Sequence, residues 1–210
     1  MYTHQKNILS AGRPISPESK VLVMVHGRGA SAQSILELSN YLPVQEFALV
    51  APQATQHSWY PYSFMAPAAQ NQPALDSALE VLAEMVNSLV SQGVKTENIY
   101  LLGFSQGACL TSEFAARNAQ RYGGLFLFTG GLIGQELEES NYQGDFGGTP
   151  IVITTGNPDP HVPVSRVEET TAILEKLGAT VTQKIYPGRP HTILQEELEL
   201  AKEILSQERS

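Results

Sequence analysis

The stretch NIYLLGFSQGA, residues 98–108, joins an apolar run typical of a buried strand to a run with helical character. Within it Gly103 and Gly107 flank Ser105 in the pattern Gly-x-Ser-x-Gly. A strand-to-helix turn tight enough to present a serine hydroxyl beyond the strand needs neighbours without bulk on both sides. The same pattern also occurs in ordinary glycine-rich turns. Its meaning therefore depends on the surrounding elements and on partners for the serine.

Apolar runs alternate with amphipathic runs along the rest of the chain. The predicted strands are short, apolar and often β-branched, and they cover 20–27, 47–52, 98–104, 124–130, 150–156 and 180–188. The predicted helices show three- and four-residue apolar spacing, and they cover 73–92, the segment after Ser105, about 163–177, and 192–206. Thr192 and Gln195 give the last helix the spacing of a capping box. This alternation predicts an α/β protein with a mostly parallel central sheet, helices on both faces, and a single domain over 1–210.

Two connections, 52–72 and 131–148, are long for a compact domain, and such loops often build a functional site. In sheets of this kind ligands bind beyond the carboxyl ends of the strands. The stretch SWYPYSFMAP, residues 58–67, follows one strand end and is rich in aromatic side chains. These aromatics either pack under the loop or line a pocket, since ligand pockets are mostly apolar. We predict that Trp59 forms a wall of the substrate pocket.

Composition and charge exclude several classes of function. The formal net charge of −8 disfavours nucleic acid and anionic membrane surfaces, because both require a basic face. The single cysteine, Cys109, rules out an internal disulfide and fits a reducing compartment. We find no signal peptide, no apolar run near the ~20 residues of a membrane span, and no pattern that suggests a metal. We therefore expect a soluble, cytoplasmic protein without membrane insertion.

A serine hydroxyl becomes a useful nucleophile only beside a base that an acid orients. Of the five histidines, His191 follows the last predicted strand and directly precedes the last helix. Asp159 is the carboxylate between Ser105 and His191 that directly follows a predicted strand. Asp145 precedes a strand, which places it at the opposite edge of the sheet. We therefore predict that Ser105, Asp159 and His191 meet at one edge as nucleophile, acid and base, in the chain order Ser…Asp…His.

An acyl-transfer site also needs N–H donors for the oxyanion that forms in the transition state. The backbone N–H after the nucleophile, that of Gln106, is one candidate. The glycine-flanked turn HGRGAS, residues 26–31, follows an early strand and supplies the backbone N–H of Arg28 as the second. For the Arg28 side chain we expect either solvent, the default, or an anionic substrate group.

Four groups of residues resemble one known family, the phospholipase/carboxylesterase family, which includes acyl-protein thioesterases and small bacterial carboxylesterases. They are His26-Gly27-Arg28-Gly29, the GFSQGA stretch at 103–108, Asp159 with Val162-Pro163, and Pro190-His191-Thr192. The resemblance spans about residues 18–205. It implies the α/β-hydrolase fold and a serine hydrolase of esters or thioesters that needs no cofactor. No segment of the chain is long enough to form a separate lid domain. It also implies that Ser105 is the nucleophile, His191 the base and Asp159 the orienting acid.

Departures from that family bear on the choice of substrate. Thioesterase members usually carry leucine where Arg28 stands and aspartate where Ala30 stands, and the stretch GRPH, residues 188–191, replaces their usual GxGH. We therefore predict a carboxylesterase of small esters. An acyl-protein thioesterase or lysophospholipase, a peptidase and a carbon–carbon hydrolase stay open as alternatives. A non-catalytic binding module ranks last, because it should have lost a member of the triad. The sequence leaves open whether the chain forms a homo-oligomer.

Overall fold

The computed structural model describes residues 3–207 of the 210-residue chain. Its strands are β1 (Ile8–Gly12), β2 (Val21–Val25), β3 (Ala48–Pro52), β4 (Ile99–Phe104), β5 (Gly124–Phe128), β6 (Pro150–Asn157) and β7 (Thr180–Pro187). They form one sheet in the order β1-β3-β2-β4-β5-β6-β7. Only the β1–β3 pair is antiparallel, so the predicted mostly parallel sheet is confirmed. β1 was not predicted, and four of its five residues are exposed.

The helices are α1 (Ala32–Leu36), α2 (Ala68–Asn71), α3 (Ala74–Ser91), α4 (Gln106–Arg117), α5 (Val164–Lys176) and α6 (Gln195–Leu205). The four long helices match the four predicted ones. Helix α6 begins later than predicted, and Thr192 is not its cap. Leu194 precedes the first helical residue, and its N–H donates to the Glu197 carboxylate at 2.6 Å.

Helices cover both faces of the sheet. Along β2, Val21, Val23 and Val25 pack into one apolar cluster with side chains of α3, α4 and α5. Leu22 and Met24 point to the other face and join a second cluster with side chains of α1 and α6. Burial on both faces explains why the central strands read as continuous apolar runs. No helix between residues 3 and 207 combines the length and apolarity that crossing a membrane requires.

The parallel strands all end at the same edge of the sheet, and three predicted site residues lie just beyond these ends. Ser105 follows β4 directly, Asp159 lies two residues after β6, and His191 lies four residues after β7. Strands β4, β5, β6 and β7 are consecutive neighbours in the sheet. Sheet topology therefore brings residues far apart in sequence to one place.

Candidate active site

The turn between β4 and α4 presents Ser105 in a strained backbone conformation, with φ 55° and ψ −121°. A Cβ on Gly103 would lie 2.5 Å from the Gly107 carbonyl oxygen, and one on Gly107 would lie 2.1 Å from the Val25 oxygen. Both distances are far shorter than real contacts, so only glycine fits on either side. The Ser105 N–H donates to the Phe128 oxygen of β5 at 3.0 Å, which fixes the turn. The two glycines thus let the strand and the helix approach closely on either side of Ser105, which is half-buried.

Ser105, His191 and Asp159 form one chain of hydrogen bonds. His191 Nε2 lies 2.8 Å from Ser105 Oγ, and His191 Nδ1 lies 2.9 Å from Asp159 Oδ2. An ionised carboxylate only accepts hydrogen bonds, so Nδ1–H is the donor to Asp159. A neutral imidazole then has its lone pair on Nε2, where it accepts the serine O–H. The structure therefore brings together the three residues that the sequence places at this edge.

The Asp159 side chain is fully buried, with 0% of it exposed. Its second oxygen, Oδ1, accepts the backbone N–H groups of His161 at 2.9 Å and Val162 at 3.0 Å. Burial raises the pKa of Asp159, but the hydrogen bonds from His191 and from these two N–H groups outweigh it and hold the pKa below its ordinary 3.8. The carboxylate is therefore ionised at neutral pH. The two backbone donors lie only two and three residues away, and sequence reasoning did not assign them a role.

The backbone N–H groups of Arg28 and Gln106 have no hydrogen-bond acceptor within residues 3–207. Gln106 is the first residue of α4, where a backbone N–H has no partner inside the helix. Both residues line the same cavity as Ser105. Two unpaired donors thus flank the serine, as an oxyanion site requires.

A cavity of about 690 Å³ opens beside Ser105 and His191. Its further walls are mostly aromatic or apolar and include Tyr60, Tyr62, Phe64, Phe104, His161 and Val162. None of the described residues that line it is acidic. A smaller cavity of about 410 Å³ adjoins it, and its lining includes the apolar side chains of Ile35, Leu38 and Ile193 together with the acidic Glu37. The two cavities share Gly27, Ala30 and Phe104, and Ser105 lines the larger one.

The structure corrects the prediction that Trp59 forms a pocket wall. Trp59 is 0% exposed and does not line the cavity. Its indole Nε1 donates to the His26 oxygen at 2.9 Å, and its ring lies 5.1 Å from the ring of His26 and 5.3 Å from that of His4. The neighbouring aromatics Tyr60 and Tyr62 line the cavity instead. No periodicity marks which residues of an irregular loop turn inward, so the sequence carried no signal for this choice.

The Arg28 side chain is exposed to solvent, but hydrogen bonds also hold it against the protein. Its guanidinium donates to Ser58 Oγ at 2.9 Å, to the Pro61 oxygen at 3.0 Å and to the Tyr62 oxygen at 2.7 Å. It therefore clamps the segment 58–64, which we call the aromatic loop.

The Gln106 side chain holds the same loop through two other contacts. Its Oε1 accepts the Trp59 N–H at 3.0 Å, and its Nε2 donates to the Tyr60 oxygen at 2.8 Å. The two residues whose N–H groups flank Ser105 thus use their side chains to fix the wall of the cavity. Sequence reasoning missed this second role, because the contacts span about thirty to fifty residues.

A sequence model described as Phospholipase/Carboxylesterase matches residues 7–208. The chain belongs to the phospholipase/carboxylesterase family. The crystal structure of a phospholipase/carboxylesterase from Dyadobacter fermentans DSM 18053 is 57% identical, with a TM-score of 0.96, over 98% of this chain and 99% of that one. Acyl-protein thioesterase 1 of Kluyveromyces lactis is 26% identical over 95% of this chain and 96% of its own length. A probable carboxylesterase SOBER1-like protein of Arabidopsis thaliana is 28% identical over 73% of this chain, a match that spans 60% of the plant protein.

These likenesses confirm the predicted family and the α/β-hydrolase fold. The protein is an enzyme, a carboxylesterase-type hydrolase, and its family implies small-molecule ester substrates. The sequence resemblance leads us to expect leucine at position 28 if the protein is a thioesterase. A leucine there could donate none of the three hydrogen bonds by which Arg28 clamps the aromatic loop.

Proposed function

We propose that the protein is a serine carboxylesterase that hydrolyses small esters through an acyl-enzyme on Ser105. The observation that carries this proposal is the unbroken chain of hydrogen bonds from Ser105 Oγ through His191 to Asp159, with links of 2.8 and 2.9 Å. Each link has the length that proton transfer or orientation requires. The ionised Asp159 favours the tautomer of His191 that can accept the serine proton.

In the first half of the reaction, Ser105 Oγ attacks the ester carbonyl carbon while His191 Nε2 takes the serine proton. The tetrahedral intermediate then collapses, the bond from carbon to the alcohol oxygen breaks, and His191 gives its proton to the departing alcohol. In the second half, a water molecule attacks the carbonyl carbon of the acyl-enzyme while His191 takes a proton from that water. The carboxylic acid leaves as the proton returns to Ser105, which restores the enzyme.

The oxyanion of each tetrahedral intermediate binds the backbone N–H groups of Arg28 and Gln106. Their lack of other acceptors supports this role, because the donors need no rearrangement when charge develops on the oxygen. In studied hydrolases one such donor contributes about 3 kcal/mol to transition-state stabilisation.

The two adjoining cavities support a small ester as substrate, with its acyl group in one cavity and its alcohol group in the other. The larger has the size of an ordinary small-ligand site, and the aromatic loop narrows it. We propose that acyl chains of roughly two to six carbons react best, since each buried methylene contributes about 0.8 kcal/mol until the cavity is full. The thioester chemistry named for the Kluyveromyces relative is the main alternative outcome of the substrate test.

The decisive experiment replaces the nucleophile. Ser105→Ala should keep the fold and lose both ester hydrolysis and labelling by a fluorophosphonate probe. Labelling of the variant at the wild-type rate would overturn the proposal.

A matched carboxylate pair tests the acid. Asp159→Asn should lower kcat by roughly 10⁴-fold, because the imidazole is left in the wrong tautomer. Asp145 accepts the Gly147 N–H in the loop before β6, so Asp145→Asn should keep wild-type kcat. The reverse pattern would place the acid elsewhere. A panel of chromogenic esters of increasing acyl length, with one thioester and one peptide amide, then decides among the alternative substrates.

A further inference from the structure

The loop that carries His191 rests on a buried ion pair. Arg189 Nη1 lies 3.3 Å from Glu197 Oε2, and the two side chains are only 1% and 0% exposed. Arg189 precedes His191 by two residues, and Glu197 lies in the first turn of α6. We call these two residues the buried pair.

The arginine of the buried pair ties the loop to the end of β5. Its Nη1 donates to the carbonyl oxygen of Thr192, the residue after His191. Its Nη2 donates to Thr129 Oγ1 at 2.6 Å, directly beyond β5. One guanidinium therefore holds the backbone after His191 against a strand that also fixes the Ser105 turn.

The glutamate of the buried pair holds the next part of the loop. Glu197 Oε2 accepts the Leu194 N–H at 2.6 Å, and Oε1 accepts the hydroxyl of Thr154 in β6. Thr129 and Thr154 are themselves joined, because the Thr129 N–H donates to the Thr154 oxygen at 2.8 Å. The backbone that follows His191 is thus fixed by charged groups to two neighbouring strands.

Stability alone does not account for charges at this place. Burying two ions removes their hydration, and apolar residues of similar volume often replace such a pair without loss of stability. Arg189 Nε is also buried without a hydrogen-bond partner in residues 3–207, which adds to the cost. Apolar side chains could fill the space, but they could not direct a carbonyl and an N–H on the far side of His191. Charge-assisted hydrogen bonds provide such direction.

We propose that Arg189 and Glu197 are positioning residues, which fix the backbone of the His191 loop so that Nε2 faces Ser105 Oγ. The inference rests on the proposed function, in which His191 is the base. A displacement of about 1 Å in such a group can lower turnover roughly 10²-fold. The effect should appear in kcat and leave KM unchanged, because neither residue lines either cavity.

The test removes both charges together. The variant Arg189→Met with Glu197→Leu should fold with a melting temperature at or above that of Arg189→Met alone, since no unpaired charge remains buried. Its kcat should fall about 10- to 100-fold with KM within about twofold of wild type. The matched control replaces Arg117 by Met and Glu113 by Leu, a largely buried pair at 2.8 Å within α4. That control should keep wild-type kcat whatever it does to stability.

A spectroscopic measurement separates positioning from loss of fold. The low-field proton resonance of His191 Nδ1–H should shift or broaden in the double variant and stay unchanged in the control. A folded double variant with wild-type kcat and resonance would overturn the inference and leave the proposed function intact, whereas a fully active Ser105→Ala would overturn both. Should the double variant not fold, Glu197→Gln carries the test. A lowered kcat with an altered resonance supports the inference, and wild-type values of both overturn it.

Discussion

Two long segments leave the carboxyl edge of the sheet, 53–67 after β3 and 129–149 after β5, and an arginine clamps each of them. Arg28 donates to three acceptors in the first segment, Ser58 Oγ and the oxygens of Pro61 and Tyr62. Arg166 of α5 donates to three acceptors in the second, the oxygens of Leu132, Gly134 and Gln135. The two clamps match in number and chemistry, but their surroundings differ.

The clamp on the second segment is part of the core. Arg166 is only 3% exposed, and Glu113 reinforces the segment by accepting the Ile133 N–H at 2.9 Å. The clamp on the first segment is exposed to solvent, and Arg28 has no carboxylate partner among residues 3–207. Of the two segments, only the first lines the cavity, and the long connection 131–148 contributes no residue to it.

The hydrogen bonds of Arg166 and those of Arg28 therefore have different effects on the protein. A buried clamp completes the hydrogen bonding of backbone that could not reach water, so its removal should lower stability. An exposed clamp competes with water and adds little stability. The exposed clamp of Arg28 instead determines the position of the cavity wall. Four predictions test this difference, from the largest expected effect to the smallest.

We expect the largest loss of stability from substitution of Trp59. Trp59→Ala should lower the free energy of unfolding by about 3–5 kcal/mol, because it leaves a large cavity beneath the aromatic loop. Urea unfolding followed by circular dichroism measures the change. The side chain does not line the substrate cavity, so the order of preference among acyl lengths should survive in the folded variant. A stable variant with a relaxed length preference would show instead that Trp59 touches substrate.

Substitution of Arg166 should give the second-largest loss of stability. Arg166→Met leaves three backbone carbonyls without their donor, two of them in buried hydrogen bonds, and should cost about 3 kcal/mol of unfolding free energy. The kcat/KM on a short ester should stay near wild type at temperatures where the variant is folded. A variant with wild-type stability but impaired catalysis would remove the distinction between the two clamps.

The features of the fold that follow from repeated sequence patterns could be predicted. Short runs that are mostly apolar and often β-branched identified six strands, and the parallel topology then placed Ser105, Asp159 and His191 at one edge. β1 escaped detection because its exposed residues form no apolar run, and α1 and α2 are too short, at five and four residues, for a helical period. The inward-facing residues of the aromatic loop also escaped. Hydrogen bonds from residues distant in sequence set that loop's conformation, and no local pattern records them.

Two neutral histidines hold the beginning of the first segment. His4 Nε2–H donates to the Trp59 oxygen at 2.8 Å, while its Nδ1 accepts the Thr55 N–H at 3.1 Å. His26 likewise uses one ring nitrogen as a donor, and its Nε2 accepts the Ala54 N–H at 3.1 Å. Protonation of either ring would remove the lone pair that accepts. Burial lowers the pKa of both His4 and His26 below the ordinary 6.5, in keeping with this pattern.

The stability of the first segment should therefore depend on pH. A histidine with a lowered pKa binds fewer protons when folded than when unfolded, so its contribution is complete above pH 6.5 and is lost as the pH falls below that value. When the pH is lowered from about 7 to about 5, the free energy of unfolding should decrease less for His4→Gln than for wild type. His57→Asn is the control, since that side chain is exposed. Identical pH slopes for wild type and His4→Gln would contradict the prediction.

The smallest effect on stability is expected at Arg28, and it tests the comparison most directly. Arg28→Met removes three hydrogen bonds at the surface and should change the unfolding free energy by less than about 1.5 kcal/mol. The backbone N–H of residue 28 remains, so kcat on the shortest ester should change little. Without the clamp the outer part of the aromatic loop should move, which raises KM several-fold and broadens the acyl-length profile. Fluorescence of Trp59, the single tryptophan, should stay constant, because Gln106 and His26 still hold it. A roughly 100-fold loss of kcat at unchanged KM would mean instead that the guanidinium acts on the transition state.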